Sequence, residues 1–74
     1  MADEDRGVVI SKLTEKDIGK WVTYTPSYGE VELGKIKSWN DTYIFVVYNC
    51  GGEWHRFQDF TGAATNPTDL MFGR

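Results

Sequence analysis

The sequence predicts an all-β domain built as a small barrel of five short strands. Three features support this. Runs of β-branched and aromatic residues recur about every ten positions, turn residues rich in Gly, Asn and Asp separate them, and no helical pattern outlasts a single turn. The chain has 74 residues. A domain of that size buries only about 60–65% of the surface that its unfolded form exposes. Three Trp, four Tyr and four Phe compensate, because each buried ring removes a large apolar area from water.

Residues 1–6, MADEDR, are polar and acidic and are expected to form a flexible tail, with residues 7–74 as the single domain. GVVISKL (7–13) reads as a short strand or an apolar lead-in. In LTEKDIG, Thr14 is placed to cap one helical turn. Asp17 completes a capping box three residues on, Gly19 ends the turn, and Leu13 and Ile18 flank it.

KWVTYTP (20–26) is a strand closed by Pro26, and SYGE (27–30) is a turn. VELGKIKSW (31–39) is a strand whose apolar alternation changes phase at Gly34, which suggests a β-bulge or bend there. Asn40-Asp41 predicts a two-residue hairpin turn, since both residues tolerate positive φ. TYIFVVY (42–48) is the strongest strand signal and reads as a central strand buried on both faces. NCGGE (49–53) is expected to be a second hairpin loop leading into a strand, WHRFQDF (54–60). TGAATNPTDL (61–70) is turn-rich with one 3-10 turn after Asn66-Pro67, and Met71-Phe72 close the domain as a brief strand. An OB-like barrel is the runner-up architecture, but it requires a helix between strands three and four that the chain does not show.

The expected two-residue turn pairs Trp39 with Thr42 and Ile36 with Phe45. One face then carries Ile36, Tyr43, Phe45 and Val47, the better core. The other carries Lys35, Lys37, Trp39, Ile44 and Val46, with the lysine stems lying over the two aliphatics and Trp39 left as an exposed aromatic.

The formal charge is −3, of which Met1–Arg6 contribute −2 through Asp3, Glu4, Asp5 and Arg6, leaving −1 for residues 7–74. Phosphate neutralisation supplies most of the affinity of general nucleic-acid binders. A near-neutral domain therefore makes nucleic acid the lesser reading, confined to a single strand stacking on Trp39 with Lys35 and Lys37 at its phosphates.

One cysteine, Cys50, leaves no internal disulfide and no cysteine-based zinc site. One histidine, His55, leaves no histidine relay. Nothing in the sequence supplies the third group that a Cys50–His55 nucleophilic pair would need. No phosphate-cradling loop occurs, and 74 residues hardly enclose a pocket for Glu30 and Glu32. These features point away from an enzyme and imply no cofactor. The acidic N-terminus lacks the pattern of a signal peptide and no run is long enough to span a membrane, so a soluble protein of the cytoplasm is expected.

A protein or peptide partner is the more natural use of so many aromatics, since they cannot all fit one small core; a structural part of a larger complex is a further reading. Tyr28 is the best candidate for an exposed ring, because its loop holds no other apolar residue.

The order of GKWVTY, GKIKSW, YIFVVY and FQDFTG resembles the Tudor-like branch of the SH3-like barrels over about residues 18–72. Through that resemblance Tyr24, Tyr28, Tyr48 and Phe60 would be members of an aromatic cage with Asp59 beside them. The phrases LTEKDIGKWV, GKIKSWND, IFVVY and FTGAATNP also make the chain similar to short proteins encoded by bacteriophages and prophages. That likeness implies a bacterial or phage setting and brings no established activity.

Overall fold

The structure is a computed structural model that describes residues 7–73; the acidic tail expected at residues 1–6 lies outside them. Strand β1 is Trp21–Tyr24, β2 is Glu32–Trp39, β3 is Ile44–Val47, β4 is Ala63–Thr65 and β5 is Leu70–Phe72. They form one antiparallel sheet in the order β4-β3-β2-β1-β5. Among the described residues, 3-10 segments lie between the strands or before them at Ile10–Lys12, Glu15–Asp17, Trp54–Asp59 and Pro67–Asp69.

The Glu15–Asp17 turn forms as its residues predict. Thr14 N–H donates to Asp17 Oδ2 at 2.9 Å, and Lys16 N–H donates to Thr14 Oγ1 at 3.3 Å. Asp17 also meets Lys20 Nζ at 2.7 Å. The hydrogen bond from Lys20 and that from the Thr14 amide hold its carboxyl below the ordinary 3.8. The turn after Asn66 forms as well, with Asn66 Oδ1 accepting from Thr68 N–H at 3.0 Å and Pro67 opening the turn.

Strand β2 organises the sheet. Its first half pairs with β1, from Tyr24↔Glu32 to Trp21↔Lys35, and its second half with β3, from Lys35↔Val47 to Trp39↔Ile44. A strand shared in this way must bend, and two features supply the bend. Gly34 is buried, and a Cβ there would lie 2.6 Å from both Val46 Cγ1 and the Val47 carbonyl oxygen. The glycine therefore serves a close backbone approach. It is not among the residues of positive φ, and the bulge expected there falls at Lys37, between Ile36↔Val46 and Ser38↔Phe45.

The β2–β3 connection also differs from expectation. Asn40 N–H donates to the Tyr43 carbonyl at 3.0 Å, while Asn40 Oδ1 accepts from the amides of Thr42 and Tyr43 at 2.8 and 2.7 Å. The loop thus runs from Asn40 to Tyr43. A two-residue type I′ turn requires positive φ, and no non-glycine among the described residues adopts it. The asparagine side chain imitates a backbone turn instead. Asn40→Ala removes both acceptances and is expected to lower stability by about 1 kcal/mol in a denaturant titration.

The longer loop shifts the pairing by two residues, which preserves the faces. The bulge at Lys37 then adds one residue and exchanges them for Ile36. As a result Ile36 shares its face with Ile44 and Val46 rather than with Tyr43 and Phe45. The core is Val8, Val22, Ile36, Ile44, Val46 and Leu70, with Ile10, Leu13, Tyr24, Trp39 and Tyr48 packed against it. Fully burying each such aliphatic side chain contributes about 1.5–3 kcal/mol. Tyr43 is exposed and Trp39 is partly buried on the core, the reverse of the expected arrangement.

Residues 54–60 form no strand. Hydrogen bonds from Arg56 N–H to the Glu53 carbonyl and from Phe60 N–H to the Phe57 carbonyl close two 3-10 turns across a kink at Arg56. The NCGGE segment accordingly leads into these turns and not into a hairpin. The partner of β3 is Ala63–Thr65, within the segment expected to be turns, paired as Val46↔Ala63, Phe45↔Ala64 and Ile44↔Thr65. Small residues suit this edge: a Cβ on Gly62 would already lie 3.0 Å from Phe45 Cβ.

Candidate functional site: an outward sheet face and its aromatic border

Directly paired residues of an antiparallel sheet project to the same side. Val22 and Gly34 face the core, so their neighbours face outward. Met71, Thr23 and Leu33 form one outward row across β5, β1 and β2, and Trp21 and Lys35 begin the next. Leu33 and Met71 are exposed, and Val31, just before β2, is 60% exposed. Tyr28, in the loop between β1 and β2, is 92% exposed.

Below this row the sheet is bordered by aromatics. Trp21 and Trp54 pack with ring centroids 4.7 Å apart at 60°. Lys35 Nζ lies 4.9 Å from the Trp21 ring centroid and 5.4 Å from that of Phe57. Such cation–π contacts hold the lysine against the sheet and leave its charge without a carboxylate among the described residues. The two turns of Trp54–Asp59 bring Trp54 and Phe57 to this border from either side of the kink at Arg56.

The residues singled out in the sequence occupy separate places. Lys37 Nζ donates to the Phe60 carbonyl at 2.6 Å, so this lysine tethers the end of the Trp54–Asp59 turns to the bulge in β2. Lys35, Lys37 and Trp39 therefore do not form a row, since the first lies over aromatics, the second is engaged with backbone and the third packs on the core. Tyr24 and Tyr48 do meet, at 5.8 Å between centroids. Tyr48 bonds Thr65 Oγ1 at 2.8 Å through its hydroxyl, and burial pushes its phenol upward from the ordinary value. Neither Tyr28 nor Phe60 has a ring contact with that pair among the described residues. Asp59 is exposed and paired with Arg56 at 3.2 Å.

Trp21, Trp54, Phe57, Leu33 and Met71 were absent from the sequence-derived site. The pairing of β1 with β2 and β5 puts Trp21, Leu33 and Met71 together, and the Trp54–Asp59 turns add Trp54 against Trp21 and Phe57 against Lys35.

Among the described residues no group of three or more His, Cys, Asp or Glu is placed to hold a metal ion. Cys50 is buried, whereas His55 is exposed beside Glu53 at 3.5 Å. No helix among the described residues is long and apolar enough to cross a membrane. No protein family, curated protein or solved structure matches the chain.

Proposed function

We propose that this protein is a non-catalytic interaction module that binds a protein partner through the outward face of β1, β2 and β5. The observation that carries the reading is the outward row Met71–Thr23–Leu33, with Met71 and Leu33 exposed on either side of a half-buried Thr23, extended by Val31 and by Tyr28 at the tip of the adjoining loop. None of these side chains belongs to the core, and an exposed tyrosine offers contact area at small entropic cost. Lys35 at the border favours a partner that brings a carboxylate beside an apolar side chain.

The fold behind this surface is, in our reading, an SH3-like barrel. The strand order, the bent β2 shared by two neighbours, and the 3-10 turn between β4 and β5 support it. The resemblance of its sequence phrases to phage and prophage proteins supports a partner among bacterial or phage proteins of the cytoplasm. Single-stranded nucleic acid is the weaker reading, because Lys37 is already engaged and residues 7–74 carry a net −1.

Affinity capture from a lysate of the native cell provides the test, with the wild type beside Tyr28→Ala and Leu33→Glu. The partner should be recovered by the wild type and reduced by more than about tenfold with Leu33→Glu. Equal recovery with all three proteins would remove this face from the interface.

A further inference from the structure

We infer that the open edge of β5 accepts an extended strand from a partner protein, with an apolar side chain set into the adjoining groove and a carboxylate at Lys12. This edge is separate from the outward face and does not rest on the function proposed for it. Strand β5 ends the sheet. Its bonds to β1 are bracketed by Thr25 N–H to the Asp69 carbonyl and Gly73 N–H to the Trp21 carbonyl, both 2.9 Å. Antiparallel alternation therefore turns Met71 towards β1 and directs the N–H and C=O of Phe72 and the C=O of Leu70 away from the sheet. The Leu70 N–H is already given to the Pro67 carbonyl. Among the described residues one donor and two acceptors remain for an incoming strand.

Both sides of this edge are apolar. Met71, 42% exposed, lies on the outward side, and Phe72, 48% exposed, lies on the side of Val22. A groove of about 450 Å³ runs along the strand, lined by Val9, Leu13, Met71, Phe72, Lys12 and Asp17. An added strand would thus bury alternate side chains on each side. Charge selects the partner's chemistry. The Asp17 carboxylate is taken by Lys20 and the Thr14 amide, so Lys12 is the cation of the groove with no acid among the described residues. A second copy of this chain would instead bring a second Lys12 to the pairing.

The probe is a short blocked peptide alternating valine and glutamate, titrated into isotope-labelled protein and followed by amide NMR signals, beside a peptide alternating valine and lysine. The glutamate peptide should shift Leu70, Met71, Phe72 and Val9 saturably, and the lysine peptide should bind about tenfold more weakly. Phe72→Pro removes an N–H that has no partner among the described residues, and it should abolish the shifts while the fold persists. Should that variant unfold, Lys12→Glu reports in its place by reversing the preference between the peptides. No shift at β5 with either peptide, or no reversal with Lys12→Glu, would overturn the inference. Shifts of the same amides on dilution of the protein alone would also overturn it, assigning the edge to a second copy.

Discussion

Gly34→Val is expected to destabilise the protein by about 3 kcal/mol, enough to leave a large fraction unfolded at room temperature. Overpacking a close-packed site typically costs about 1–3 kcal/mol, and a single core in a domain of this size supplies little more than about 3–5 kcal/mol in all. The new Cβ would lie 2.6 Å from the Val47 carbonyl oxygen, a backbone atom that cannot rotate aside, and 3.0 Å from the Tyr48 ring. Gly34→Ala carries the same Cβ and should lose much of that stability too. Thermal and denaturant unfolding measure both. A wild-type midpoint for Gly34→Ala would mean that β2 and β3 do not approach as closely as the bend at Gly34 requires.

The second large effect separates two registers. Ile44→Ala should cost about 2–5 kcal/mol, since it empties a fully buried site between Ile36, Val46 and their neighbours. Tyr43→Ala, at an exposed position of the loop, should change stability by less than about 1 kcal/mol. The two-residue turn expected from the sequence gives the opposite ranking, with Tyr43 inward and Ile44 outward. Denaturant midpoints of the two variants decide between them.

The strands with strong β-branched and aromatic character were legible in the chain: β1, β2 and β3 lie within the segments read as strands, and the capping box at Thr14 and the turn after Asn66 are in place. The misreadings have physical causes. Trp54, Phe57 and Phe60 recur with a period of three, which suits a 3-10 helix and not the alternation of a strand. Ala63–Thr65 has weak strand character of its own and becomes a strand because β3 offers an edge that small residues can approach. The bulge at Lys37 has no local signature. It follows from joining the Asn40–Tyr43 loop to a β2 that also pairs with β1, a constraint that spans the sheet. Because the bulge decides which residues face the core, Ile44 and Val46 take the inner places read for Tyr43 and Phe45 and Trp39 packs beside them, while Ile36 and Val47 are buried as expected.

The site was less legible than the fold for the same reason. Tyr28 stands out from its local surroundings, since its loop is polar and its exposure follows directly. The row Met71–Thr23–Leu33 joins residues distant in the chain, and no spacing within the sequence marks it. Lys35 and Lys37 look equivalent in GKIKSW, yet the bulge separates them, one over the Trp21 and Phe57 rings and the other bound to the Phe60 carbonyl.

The claim that the outward face of β1, β2 and β5 receives a protein is tested most directly by photo-crosslinking in the native cell. A photoreactive phenylalanine analogue would be placed singly at Tyr28, Leu33 or Tyr43, the last lying in the loop at the far end of β2. One adduct of the same mass is expected from positions 28 and 33 and none from position 43. Adducts from position 43 alone, or none from 28 and 33 in protein that remains folded, would contradict the claim.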